Sequence, residues 1–124
     1  MNPVDFARSF VSSLMAGDIE KARAAYHPDC VIWHNFSNQT QTVDENLELL
    51  QKMLAVSKKL EYIVTRLEEI ENGYLQLHTL QMTANDGNIY STDACLVVTL
   101  KDGKIASAKE WIDPTPLAPI FAKA

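Results

Sequence analysis

Three short polar turns that carry glycine, Glu71-Asn72-Gly73, Asn85-Asp86-Gly87-Asn88 and Lys101-Asp102-Gly103, divide the second half of the chain into long β-rich segments. Turns of this kind reverse the chain within a few residues, so the segments they join must pair as antiparallel neighbours. Four strands are expected, roughly over 60–70, 74–84, 89–100 and 104–113.

The first half reads differently. Asn2, Pro3 and Asp5 form a helix start, Ala7, Phe10, Val11 and Leu14 recur at three- and four-residue steps, and Gly17 supplies a stop. Asp18 caps a shorter helix through Ile19, Ala22 and Tyr26, which Pro28 ends. After a strand over Cys30 to His34, the segment Phe36 to Thr40 reads as a loop. Thr42 and Glu45 then stand in capping-box spacing ahead of Leu47, Leu50, Met53 and Leu54, with Lys58 and Lys59 in the last turn. Helices first and a meander afterwards make an α+β order. Long twisted strands curl around such helices, leaving a cone-shaped sheet with a cavity at its open end. The tail Asp113 to Phe121, with three prolines, is expected as a strap that extends neither sheet nor helix.

At 124 residues the chain is read as one domain, 1–124. A net charge of −5, with Lys58-Lys59 as its densest basic cluster, offers no face for phosphates, so nucleic acid is not an expected partner. The apolar runs are too short for a bilayer, and Asp5 stands where a secretory apolar stretch would be, so a cytoplasmic protein without membrane contact is expected. Cys30 and Cys95 lack metal or redox spacing and read as buried free thiols. His27, His34 and His78 never take metal-ligand spacing, so no metal site is expected.

The stretch "FVSSLMAGDIEKARAAYHPDCVIWHN" resembles the opening of the SnoaL-like branch of the nuclear-transport-factor-2-like superfamily. This superfamily includes ketosteroid isomerase, limonene-epoxide hydrolase and the polyketide cyclase SnoaL, and "LVVTLKDGKIASAKEWIDP" looks like its last two strands. The resemblance implies a curved antiparallel sheet wrapped around N-terminal helices, the cystatin-like α+β barrel. It implies no single chemistry, because this fold hosts isomerases, hydrolases, cyclases and binding modules.

Against ketosteroid isomerase, the oxyanion-stabilising tyrosine falls on Phe10, the base aspartate on His34 and the neutral aspartic acid near Leu96. Both donors to a developing enolate are therefore replaced, which argues against that mechanism. Against limonene-epoxide hydrolase, Trp33-His34-Asn35 resembles its Tyr-His-Asn triplet and its water-activating aspartate falls on Glu110. Its Arg-x-Asp falls near Leu77 and Thr79, with Gln76, His78 and Gln81 as the nearby polar residues. A water-holding half-site, Asn35 with Glu110, is what remains.

The resemblance thus implies Glu110 as base, Asn35 as water or substrate anchor and His34 as the alternative base. Trp33 is expected as the cavity wall, with Phe10, Thr79, Ala94, Leu96 and Ile112 as further substrate-binding residues. Strand alternation leaves open whether Glu110 faces the cavity or pairs outward with Lys104 or Lys109, and it puts Trp33 and His34 on opposite faces. Asp93 is expected on the outer face and Asp113 as a turn acid. The expected function is cofactor-free water activation or proton transfer on a small hydrophobic ligand. A non-catalytic binding or dimerisation module is the alternative, and the resemblance implies a homodimer through the outer sheet face.

Overall fold

The structure is a computed structural model that describes residues 1–122. Helix α1 spans Pro3–Ala16, opened by Asn2 Oδ1 accepting from the Asp5 amide at 2.8 Å and closed by Gly17 at φ 70°. The left-handed turn lets the Gly17 and Asp18 amides reach the last carbonyls of α1, a conformation glycine adopts without a Cβ clash. Helix α2 covers Ile19–Ala24 only, and Tyr26 instead begins strand β1, Tyr26–His34. Pro28, expected to stop a helix, lies in this strand where its register shifts between Tyr26 and Val31. A proline is tolerated at such an irregularity because its missing N–H breaks no regular ladder.

The segment expected to be wholly loop contains a three-residue strand β2, Gln39–Gln41, which folds back on β1. Helix α3, Val43–Val56, has the reciprocal capping box in full: the Glu45 amide donates to Thr42 Oγ1 at 3.2 Å, and the Thr42 amide to Glu45 Oε1 at 2.9 Å. The helix ends at Val56, so Lys58 and Lys59 belong to strand β3, Ser57–Ile70. Strands β4 (Gly73–Ala84), β5 (Ile89–Lys101) and β6 (Lys104–Ile112) follow, joined by the three expected turns. Asn72, Gly87, Asp102 and Gly103 take positive φ in those turns.

The six strands lie in the order β2-β1-β6-β5-β4-β3, with β2 and β3 as unpaired edges, so the sheet is open. β3 through β6 form the expected antiparallel meander, but β1 pairs with β6 in parallel. The sheet is therefore mixed, which corrects the all-antiparallel expectation. The hairpin turns fix every pairing except this one, which joins strands far apart in sequence. Bulges in β3 and near the start of β6, at Ala106, bend the sheet. Helix α3 contacts both β1 and β3, from opposite halves of the sheet, because the strands curl about it. The inner face carries Tyr74, Leu80, Met82, Val98 and Ile105, all buried.

The tail forms a 3-10 turn, Thr115–Leu117, and a short helix α4, Ala118–Ala122. This corrects the expectation that the prolines exclude a helix: Pro116 and Pro119 lie at early helical positions, where the missing N–H is not needed. Leu117 and Ile120 anchor the segment in the core.

Candidate functional site

Between α1, α3, the C-terminal segment and the inner sheet face lies a cavity of about 530 Å³. Phe10, Leu14, Leu50, Met53, Leu96 and Ile112 give it an apolar wall, with Phe36 and Phe121, both partly exposed, also lining it. On the sheet side Tyr26 on β1, Gln41 on β2 and Tyr62 on β3 interrupt that wall, together with a cluster of four further polar side chains. His34 on β1, Glu110 on β6, Leu96 on β5 and Gln76 on β4 form one transverse row, each paired in register with the next, and His78 lies two residues further along β4.

His34 Nε2 is 3.2 Å from Glu110 Oε1, and His78 Nε2 is 3.9 Å from Glu110 Oε2. The first is hydrogen-bonding distance and the second is not. The side chains of His34 and His78 are 6% and 1% exposed, whereas that of Glu110 retains 20%, so the carboxylate is the member of the group open to the cavity. Gln76 Nε2 lies 2.9 Å from His78 Nδ1. Burial disfavours the imidazolium and lowers the His78 pKa, against the opposing pull of the Glu110 and Asp93 charges. Tyr62, whose ring centroid is 5.3 Å from that of His78, is pushed far above the ordinary tyrosine value by burial and then by Glu110, so it offers a neutral hydroxyl. Burial also pushes the Cys30 thiol up to about 11, which keeps it protonated and unreactive. Among the described residues, no three His, Cys, Asp or Glu side chains stand in an arrangement that could hold a metal ion.

Of the residues singled out in the sequence, Glu110, His34, Phe10, Leu96 and Ile112 line the cavity. Trp33 does not. It turns outward, donates from Nε1 to Asn38 Oδ1 at 3.1 Å and meets Trp111 edge-on at 5.3 Å. Alternation allows only one of Trp33 and His34 inside, and the pairing of β1 with β6 places His34 beside the inward Glu110. Asn35 is also away from the cavity: its Oδ1 accepts the Ile112 amide at 2.8 Å, and its own amide donates to the Glu110 carbonyl at 3.1 Å. It clips the end of β1 to β6 rather than holding a water against Glu110.

Thr79 lies on the outer face with its hydroxyl on Asp93 Oδ1 at 2.7 Å, again by strand alternation. Ala94 is inward and buried, in the register row it shares with His78 and Ile112, but does not line the cavity. Asp113 is a turn acid that accepts the Thr115 amide at 3.0 Å, a bond that lowers its pKa. Gln76 and His78 were the residues passed over. Their signal was the inward parity they share with Tyr74, Leu80 and Met82.

A family model described as the SnoaL-like domain matches residues 7–108. The chain belongs to the SnoaL-like family. No curated protein matches it in sequence. This SnoaL-like chain is similar in structure to IdmH of Streptomyces antibioticus, a candidate polyketide cyclase, at 14% identity over 98% of this chain and 99% of that one, TM-score 0.84. It is likewise similar to PrhC of Penicillium brasilianum, at 12% identity over 94% and 83%, TM-score 0.82. A protein of ketosteroid isomerase-like fold from Catenulispora acidiphila, solved with trimethylamine, matches at 6% identity over 88% and 85%, TM-score 0.74. At these identities the likeness establishes the shared fold.

Proposed function

We propose that this SnoaL-like protein binds a small lipophilic molecule in its cavity and acts on it without a cofactor, Glu110 serving as general base in water activation or proton transfer. The contact between Glu110 Oε1 and His34 Nε2 carries this reading. One carboxylate oxygen lies within hydrogen-bonding distance of a buried imidazole while the other, 3.9 Å from His78 Nε2, is left to take a proton from a water or from a ligand. His34 orients the carboxylate, and in the alternative assignment is itself the base. Thermal-shift screening of lipophilic epoxides, enones and lactones identifies a substrate class, because a ligand of the folded state raises its melting temperature. With a substrate in hand, Glu110→Gln lowers turnover by about 10²- to 10⁴-fold. Turnover at the wild-type rate in that variant would sink the assignment.

A non-catalytic binding module is favoured by one observation: the Asn35 amide, the expected partner of Glu110, is committed to the β6 backbone. In that case ligands bind and no product forms. A homodimer through the outer sheet face belongs to the same reading, supported by Trp111 and Ile63, apolar residues that are 41% and 42% exposed on that face. Trp111→Arg should then give a monomer in sedimentation equilibrium, and an unchanged mass in both proteins would count against it. A cytoplasmic location is part of the same reading, supported by Cys30 and Cys95, free thiols that turn to opposite faces of the sheet.

A further inference from the structure

Among the described residues, the inner face of β4 carries three buried side-chain polar atoms with no hydrogen-bond partner, and two of them, unlike Tyr74 Oη, belong to residues that line the cavity. Gln76 and His78 are each only 2% exposed, yet Gln76 Oε1 and His78 Nε2 have no hydrogen-bond partner. Leaving one buried polar atom unmet costs about 1–3 kcal/mol, so two on adjacent inward positions of one strand call for an occupant. Both residues line the cavity, and the cavity is large enough for a ligand of two or three fused rings.

Which atom donates is fixed by their mutual bond. An amide nitrogen can only donate, so Gln76 Nε2 gives its hydrogen to His78 Nδ1 across 2.9 Å. Nδ1 is thereby the unprotonated nitrogen of the neutral ring, and the ring proton sits on Nε2. Burial supports the neutral ring. The pair thus presents one free donor, His78 Nε2–H, and one free acceptor, Gln76 Oε1, held rigid by the bond between them. The neighbouring Glu110 Oε2, at 3.9 Å, is too far to meet that donor.

We propose that Gln76 and His78 are the specificity-determining end of the cavity, where an uncharged lipophile is recognised through a polar group that both accepts and donates, as a hydroxyl does. Gln76 acts twice, as acceptor toward the ligand and as the group that fixes the His78 tautomer. The inference rests on reading this cavity as a ligand site and is independent of whether Glu110 acts as a base.

Three probes of nearly equal size separate the two contacts: 2-ethylnaphthalene offers neither, 2-methoxynaphthalene only accepts, and 2-(hydroxymethyl)naphthalene accepts and donates. Each step in that series should tighten binding to the wild-type protein by about tenfold, the worth of one satisfied buried hydrogen bond. His78→Phe should abolish the step from ethyl to methoxy, and Gln76→Leu the step from methoxy to hydroxyl. Retained binding of 2-ethylnaphthalene shows that each variant is folded. Equal affinity for all three probes in the wild type, within about twofold, would mean that water meets these atoms, and would overturn the proposal.

The tautomer is read separately, without ligand, from long-range proton–nitrogen correlation spectra of the histidine rings. They should show His78 protonated at Nε2 in the wild type and lose that single form in Gln76→Leu. A wild-type ring protonated at Nδ1 would also overturn the proposal. If no probe binds, the cavity is not a site for lipophiles and the functional reading fails with it, a result distinct from binding without discrimination.

Discussion

Replacing Asn35 with alanine tests whether that residue serves the chemistry or the frame. Its Oδ1 accepts the Ile112 amide at 2.8 Å, and Ile112 is itself buried, so truncation leaves a backbone N–H at the end of β6 with no partner. The cost of such an orphan is about 1–3 kcal/mol. For a chain of this length, each kcal/mol corresponds to roughly 3–6 °C in melting temperature, which sets the expected fall. Urea unfolding gives the stability, and exchange of the Ile112 amide locates the loss, since that one N–H should lose protection first. Asn35→Asp keeps the acceptor and should keep most of the stability. Two results would refute the reasoning. One is Asn35→Ala with wild-type unfolding and an Ile112 amide that still exchanges slowly. The other is a variant of unchanged stability whose turnover has collapsed, because that is the signature of a water anchor.

Two further outcomes follow from buried geometry. The His78 pKa lies below its ordinary 6.5 in the folded protein, so the unfolded chain binds a proton that the folded one refuses. Stability is therefore lost as pH falls below about 6.5, at no more than about 1.4 kcal/mol per pH unit from this group. His78→Phe should flatten the pH dependence of the urea midpoint between about pH 7 and pH 5 by that share, and parallel curves for the two proteins would contradict it. Gly73→Ala places a Cβ 1.8 Å from the Val98 carbonyl oxygen, backbone against backbone, so β4 and β5 must part. A loss of about 1–3 kcal/mol or more by denaturant unfolding is expected, and a variant as stable as wild type would show that the strands yield more easily than packed backbone does.

Much of the fold was legible because its signals are local. The Asn2 and Thr42 caps stand where their spacing put them, and the turns at Asn72, Gly87 and Gly103 join the strands they were expected to join. The inward face of β5, with Ala94, Leu96 and Val98, followed from parity once the meander was in place. The site was less legible because it depends on a non-local contact. Parity says that Trp33 and His34 part company, but which one faces inward is decided by the register of β1 on β6, to which no hairpin connects it. Asn35 was misread for the same reason, since its partner is a backbone amide, and backbone partners leave no mark in residue types. Gln76 and His78 had the right parity, yet with no carboxylate on their own strand they looked like filler for a missing acid.

The parallel pairing of β1 with β6 also has a bearing on how the protein is made. Asn35 and Ile112 are separated by 77 positions, and β6 is the last strand of the sheet to be synthesised. Until it emerges, β1 has only the three residues of β2 to pair with, and the long edge of β5 is open as well. A nascent chain at that stage exposes two sheet edges and half a cavity, a state suited to chaperone capture and to aggregation. His34 meets Glu110 only when β6 docks, so the polar cluster of the cavity forms at the step that closes both edges. Chains truncated before Lys104 should accumulate as insoluble material, lacking the strand that joins the two halves of the sheet.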